Sequence, residues 1–325
     1  MTKIKFKKNT VSIIAYHYVR EIKKSNYPNL KGIEYNLYKK QINYFKKNFN
    51  IISAEDLNYL LNSKKKVEFK KPLLMLTFDD GYIDHYEYVF PTLIKNKIKG
   101  CFYPPVKIFK DKMLNVNKIH FILEMVKNRN IILNDLILFV KKKYNINLKN
   151  SDFSKIINFS KKLSKKIPEF DDKQTIIIKK LLQIYLPNKV RNVSCDYLFN
   201  KFVKIKEKNL ANKTYVNIKK LREMKENGMH IGCHGVDHQR WDKWSFKNQE
   251  KEILQSKNFF KKNGLNSDTF SVCYPWGSYN RNSKNVLKKL SVSFGLTSDT
   301  GNFFINSKYN RYLLPRYDAN EFKNI

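Results

Sequence analysis

Apolar residues along this chain fall into short, nearly unbroken runs separated by stretches of helical periodicity. Val11-Ser12-Ile13-Ile14-Ala15-Tyr16, Leu73-Leu74-Met75-Leu76-Thr77-Phe78 and Gly100-Cys101-Phe102-Tyr103 are too short for helices. They read as buried strands. Between them, residues 36–48 place Leu37, Ile42, Phe45 and Phe49 at near-helical spacing with Lys on the other face. Ile51-Ile52 reads as a short strand, and Ser53 suits the N-cap of a helix over 54–62. Lys64–Lys71 is a charged connector, and residues 83–96 predict a helix broken or kinked near Pro91. Strands alternating with helices predict an α/β fold with a parallel sheet covered by helices.

From about 106 to 213 the rhythm changes. Segments 117–128, 134–143, 153–166 and 171–186 each carry helical periodicity and many Lys, with no clear strand pattern. The alternation then resumes. Asn217 suits an N-cap and Gly228 the stop of a helix over 217–227. Met229–Cys233, Phe270–Cys273 and Ser293–Leu296 read as strands, and 246–262 and 281–290 as helices. The expected organisation is an α/β unit over 1–105 and 214–325, interrupted by a helical insertion over 106–213. That insertion reads equally as a surface extension or as a lid or recognition platform.

Composition narrows the class. The 325 residues are 42% hydrophobic and 14% aromatic, enough for a large core and too many for a disordered chain. The formal net charge is +36. Such charge suits nucleic acid, an anionic membrane or an anionic glycan. The basic residues are mostly Lys, however, and are spread along the whole chain. Specific phosphate or base readout favours Arg with its rigid fork. No specific nucleic-acid partner is therefore expected, and the charge reads as general composition. Cys101, Cys195, Cys233 and Cys273 form no CxxC pair, which argues against a zinc finger or a redox dithiol. Few cysteines in a long chain fit a reducing compartment. After the basic start, Met1 to Lys8, the apolar stretch Val11–Tyr16 is too short for a signal-peptide core. No run approaches the roughly eighteen apolar residues of a membrane span. These features predict a cytoplasmic protein whose Lys-rich surface would let it rest peripherally on an anionic inner leaflet.

The candidate chemistry sits where the strands end. The Leu73 run terminates in Asp79-Asp80-Gly81. Taken alone this is a common turn sequence. In parallel α/β folds, however, sites lie beyond the carboxyl ends of the strands, and two adjacent carboxylates need a positive partner such as a metal ion. His234 to Trp244 reads as a loop rich in His and Trp, and in it His234 and His238 lie four residues apart just after another expected strand. On a helical turn that spacing puts both imidazoles on one face, within reach of one ion. Gly235 stands where an HExxH metalloprotease has its Glu, so a base must come from elsewhere, and Asp79 or Asp80 is available. A third expected strand runs into Tyr274-Pro275-Trp276-Gly277.

Thr77-Phe78-Asp79-Asp80-Gly81, His234-xxx-His238 and Tyr274-Pro275-Trp276-Gly277 together resemble the first three motifs of the polysaccharide deacetylases, the NodB-homology or carbohydrate esterase family 4 group. The resemblance covers roughly 10–105 and 214–318 and leaves the helical insertion outside. It implies a distorted (β/α) barrel of the NodB type and divalent-metal-dependent removal of acetyl groups from N-acetylated sugars. By this resemblance Asp79 is the general base, and Asp80, His234 and His238 are ligands of a metal, expected to be Zn²⁺. The backbone near Trp276 is the oxyanion donor and its ring lines the acetyl or sugar pocket, with Tyr274 grouped beside it as a substrate or oxyanion residue. No His follows His238, so the acid that protonates the leaving amine must lie elsewhere. Members with permuted motifs carry it near the N-terminus, which points to His17. Many members have Arg where Cys273 stands, and that Arg orients the base. A thiol cannot form the bidentate pair, and Arg316 in Leu314-Pro315-Arg316 is the expected substitute.

The resulting expectation is an N-deacetylase acting on a surface polysaccharide or on its lipid- or nucleotide-linked intermediate. Two alternatives stand beside it. One is hydrolysis of a non-sugar amide or imide by the same metal site. The other is a non-catalytic glycan- or nucleic-acid-binding protein that uses its cationic surface.

Overall fold

The computed structural model describes residues 6–63, 67–163, 171–305, 307 and 309–324. The first five residues, part of the Lys64–Lys71 connector and the end of the helix expected over 153–166 lie outside these. The chain divides into two compact units, one formed by residues 1–112 and 211–325 and the other by 113–210.

Among the described residues, all the strands lie in the discontinuous unit. In chain order these are β1 (Thr10–Tyr16), β2 (Val19–Arg20), β3 (Ile33–Glu34), β4 (Asn50–Ile51), β5 (Leu73–Asp79), β6 (Cys101–Tyr103), β7 (His230–Ile231), β8 (Ser271–Cys273), β9 (Phe294–Leu296), β10 (Asn302–Phe304) and β11 (Tyr317–Asp318). β1 and β5 are buried at every position, as their apolar runs require. They pair in parallel from Val11↔Leu73 to Tyr16↔Phe78, and β6 and β7 continue the parallel sheet. A parallel bridge between Cys233 and Val272 leads on to the β8–β9 pair. A second bridge, Leu296 to Leu314, leads to β11, which pairs in parallel with β1. The strands thus close on themselves as a distorted barrel of the NodB type, with β10 antiparallel to β1 at its margin.

The two-residue period of the strands separates two cores. Ile14, Tyr16, Leu74, Leu76, Phe78 and Phe102 face the helices, with Phe78 stacked between Tyr16 and Phe102 at 5.2 and 4.9 Å. Val11, Ile13, Leu73, Met75, Tyr103, Phe294 and Leu296 form the second cluster. By the same alternation Thr77 and Asp79 continue that second face to the carboxyl end of β5. The outer helices include α1 (Tyr35–Asn48), α2 (Ala54–Asn62) and α3 (Phe90–Lys95). Ser53 caps α2 in a reciprocal box with Asp56. The helix expected over 83–96 begins as a π-helical turn, His85–Val89, and Pro91 stands in the first turn of α3, where its missing N–H costs nothing.

The continuous unit is helical: α4 (Asn115–Met125), α5 (Arg129–Tyr144), α6 (Asn150–Leu163), α7 (Lys173–Lys180), α8 (Asn188–Phe202) and the start of α9 (Glu207–Thr214). The sequence pattern missed α8 and α9, because α8 is studded with Asn and Lys and has little apolar asymmetry. The single helix expected over 171–186 is α7 followed by a π-helical turn, Leu181–Tyr185. Lys118 is buried in this unit and reaches Asp196 at 2.5 Å and Glu207 at 2.9 Å. Two carboxylates meet the cost of burying its ammonium. No helix among the described residues is long and apolar enough to cross a membrane. The chain returns to the barrel through α10 (Ile218–Glu226), α11 (Phe246–Lys262) and α12 (Arg281–Lys289). Asn217 caps α10, accepting the Lys220 N–H at 2.9 Å. Strands β2, β3, β10 and β11 had no sequence counterpart; each is three residues or fewer, too short to show a period.

Candidate active site

Asp79 is the last residue of β5, and Asp80 and Gly81 turn the chain away with φ of 71° and 67°. A positive φ is costly for a side chain other than Asn or Asp, so the turn chemistry and the site chemistry share one residue. Both carboxylates are buried. Burial alone would raise the Asp79 carboxyl. The Arg316 guanidinium and the nearby His234 and His17 overcome this and hold it well below the usual carboxylate range. Arg316 grips Asp79 bidentately, at 3.0 Å to Oδ1 and 2.8 Å to Oδ2, and is itself buried. Its Nε donates to the Thr297 carbonyl at 2.8 Å, and the Nη1 that holds Oδ1 also donates to Thr77 Oγ1 at 3.1 Å. The Cys273 thiol lies 3.5 Å from Asp79 Oδ2. The residue at the end of β8 thus gives this carboxylate only a weak donor, and the charge reaches it from the segment before β11.

His234 and His238 come together by a different route from the one their spacing suggested. They stand on no helical turn. Residues 232–240 are a loop after β7 that bends at Gly235 (φ 73°) and His238 (φ 54°). The ring centroids lie 4.8 Å apart. Glu252 on α11 holds the loop, accepting the Val236 and Asp237 N–H groups at 2.8 and 3.2 Å. The His234 Nε2 and His238 Nε2 atoms approach Asp80 Oδ1 at 3.6 and 3.3 Å.

This cluster fits a cation. Asp80 Oδ1 is buried without a hydrogen-bond partner among the described residues, whereas Oδ2 accepts the Tyr82 hydroxyl at 2.8 Å. His234 Nδ1 lies 2.7 Å from the Cys273 carbonyl, which can only accept, so the proton sits on Nδ1. In neutral His234, Nε2 then turns a lone pair towards Asp80 Oδ1. Burial lowers the His238 pKa to about 4 against the pull of Asp80, leaving a neutral imidazole at pH 7. Two imidazole nitrogens and one carboxylate oxygen, all within 4.8 Å of one another, could hold a metal ion and leave positions open for water.

The other expected residues divide. His17 follows β1 with its side chain 47% exposed and Nε2 4.0 Å from Asp79 Oδ2, close enough to face the same space. Trp276 is half-buried at φ 61°, and its indole N–H donates to the His238 carbonyl at 3.2 Å. Tyr274 does not face the site. Its ring is fully buried, its hydroxyl donates to the Tyr312 carbonyl at 3.0 Å, and its N–H donates to Leu296 at 3.0 Å. Both its donors are committed to the fold, which leaves neither its hydroxyl nor its N–H for a substrate or an oxyanion. The sequence reading had not singled out Tyr82 or Glu252. Tyr82 stands two residues after Asp80, where a polar residue beside the paired carboxylates could have been a signal. Glu252 is one acidic residue in a Lys-rich helix and carries none.

Two buried histidines make stability depend on pH. Burial holds His85, like His238, at about 4, against an ordinary 6.5. Between these values the unfolded chain binds protons that the folded chain does not. Stability is therefore fully present above about 6.5 and is lost as the pH falls towards 4. Urea unfolding in chelator should show a loss on the order of a few kcal/mol across that interval. The slope should be shallower in His85→Phe, and a flat profile in the wild type would contradict the burial of these rings.

Residues 197–295 match the family described as polysaccharide deacetylase. A Bacillus subtilis (strain 168) protein, YxkH, whose name marks it as a suspected polysaccharide deacetylase, is 27% identical over 94 residues. That match spans 29% of this chain and 33% of YxkH. Among solved structures, the Streptococcus pyogenes deacetylase PplD in complex with acetate superimposes with a TM-score of 0.57 at 17% identity, covering 96% of this chain and 93% of that one. IcaB from Ammonifex degensii gives 0.51 at 14%, covering 95% and 91%, and the BpsB deacetylase domain from Bordetella bronchiseptica gives 0.52 at 12%, covering 95% and 96%. At these identities the structural likeness establishes the fold.

Proposed function

We propose that this chain, whose residues 197–295 match the polysaccharide deacetylase family, is a metal-dependent hydrolase that removes N-acetyl groups from the sugars of a glycan. The observation that carries this reading is the orphaned Asp80 Oδ1 facing two imidazole nitrogens, with Asp79 held ionised beside it. Asp80, His234 and His238 would hold the metal, with Zn²⁺ the ion their nitrogen-rich donor set suits best. When bound, it would supply Lewis-acid polarisation of the acetamide and a more acidic water.

The chain's own groups carry the proton traffic. Asp79 takes the proton of the attacking water, and Arg316 keeps it ionised and fixes which oxygen is presented. His17, part-exposed at the rim, delivers a proton to the departing amine. Without that proton the tetrahedral intermediate would expel water again rather than the amine. Trp276 is tied to the ligand loop and offers an aromatic wall to the acetyl group or sugar face. Acetate release from a panel of N-acetylated sugars and glycans, after metal removal and again after Zn²⁺ is restored, tests the proposal. Release should vanish on stripping and return on addition. If the stripped protein rebinds Zn²⁺ yet releases no acetate from any member while hydrolysing simple amides, the substrate is not a sugar. If it binds no metal, catalysis is the wrong reading.

A further inference from the structure

The segment that follows the paired carboxylates, Tyr82-Ile83-Asp84-His85, is fastened to the segment that carries His17. His85 Nε2 lies 2.9 Å from the backbone carbonyl of His17 itself. A carbonyl only accepts, so the proton is on Nε2. His85 Nδ1, which carries only a lone pair in that tautomer, is buried with no hydrogen-bond partner among the described residues. The ring is wedged among Phe78, Tyr82 and Phe102 at 5.6, 5.7 and 5.8 Å. Buried Asp84 accepts the Val19 N–H at 3.1 Å and holds Arg20 bidentately, at 2.7 Å from Nε and 2.5 Å from the terminal nitrogen. Between these anchors Tyr18 stacks on Tyr82 with ring centroids 3.8 Å apart. Residues 17–20 are therefore held at His17, Tyr18, Val19 and Arg20 by the chain that also supplies Asp80.

We propose that His85, with Asp84, is a positioning residue that fixes His17 over Asp79. This rests on the reading of His17 as the acid in the deacetylase proposed above. A part-exposed side chain after a strand would otherwise sample many orientations, and a misplacement of about 1 Å can cost on the order of a hundredfold in rate. Burying a histidine with one nitrogen unsatisfied is itself unfavourable, so a hydrophobic residue would pack better if the position served only the core.

The test uses the full chain and His85→Phe, which keeps the ring and its packing and removes the donor. In ¹³C-histidine-labelled protein at pH 7.5, the His17 signal should move towards its unstructured position in His85→Phe, whereas the melting temperature and Zn²⁺ affinity by chelator competition should change little. Turnover should fall about tenfold with KM altered less than twofold. In a His17→Ala background, His85→Phe should cost nothing further. His85→Gln, which can still donate to the carbonyl, should recover part of the loss. Turnover equal to the wild type, or an equal loss in the His17→Ala background, would overturn the assignment. If the wild type proves to have no deacetylase activity, the functional reading fails. The His17 signal then decides the anchoring alone, and an unchanged signal in His85→Phe would overturn it.

Discussion

Arg316→Ala is expected to unfold at markedly lower denaturant and to lose most of its turnover at neutral pH. In the native protein the guanidinium satisfies both oxygens of Asp79 and also binds the Thr297 carbonyl and Thr77. Removing it leaves a buried carboxylate facing the Cys273 thiol at 3.5 Å, His17 at 4.0 Å and the nearby His234. Removing one partner of a buried pair costs about 3–5 kcal/mol, because the remaining charge is left without compensation. Desolvation then acts against His234 and His17 without the guanidinium, and the Asp79 carboxyl rises. The acid limb of the pH–rate profile should therefore move to higher pH, with turnover at pH 7 down by about ten- to a hundredfold. Arg316→Lys should recover little, since a point charge cannot reproduce the planar two-oxygen grip. Unchanged turnover together with an unchanged acid limb would remove Arg316 from any role in setting the base.

That pair also shows how far a sequence can be read. The strands β1 and β5 and the helices α2, α10 and α11 were legible because each has a long period, a cap or a breaker at its end. Asp79, Asp80, His234 and His238 were legible because a carboxylate pair and an imidazole pair at strand ends is a chemical pattern, independent of register. The route by which the imidazoles meet was not legible. The stretch read as a loop while the spacing of four suited a helical turn, and the left-handed bends at Gly235 and His238 that bring the rings together left no mark of their own. Nothing in residue order tells an i, i+4 pair on a helix from one on a loop. The placement of Tyr274 was not legible, because a motif names residues and not the direction of their side chains. Its ring packs edge-on to Trp241 at 5.7 Å, in the helix-facing core. Residues such as Glu252 and His85 act on backbone groups, and backbone groups leave no trace in a sequence.

Asp79→Asn is expected to abolish turnover while leaving the metal site intact. The substitution keeps the shape of the side chain and removes its charge, so neither water nor substrate finds a base at that oxygen. General bases contribute about 10²–10⁴ in rate, and a fall of at least about a thousandfold is expected here. The donors Asp80, His234 and His238 are untouched, so Zn²⁺ affinity should stay within a few-fold of the wild type. That separation gives the experiment its force, because Asp79 and Asp80 are neighbours and a loss of activity alone could come from either. The same variant leaves Arg316 buried against a neutral amide, so it should also be less stable, and its turnover must be measured well below its unfolding temperature. Asp80→Asn should show the opposite pattern, with weakened Zn²⁺ binding and activity partly restored by excess metal. If Asp79→Asn folds, binds Zn²⁺ and retains turnover within about tenfold, the base lies elsewhere. Should it lose Zn²⁺ as well, Asp79 belongs with the ligands, and the division of labour between the two carboxylates is reversed.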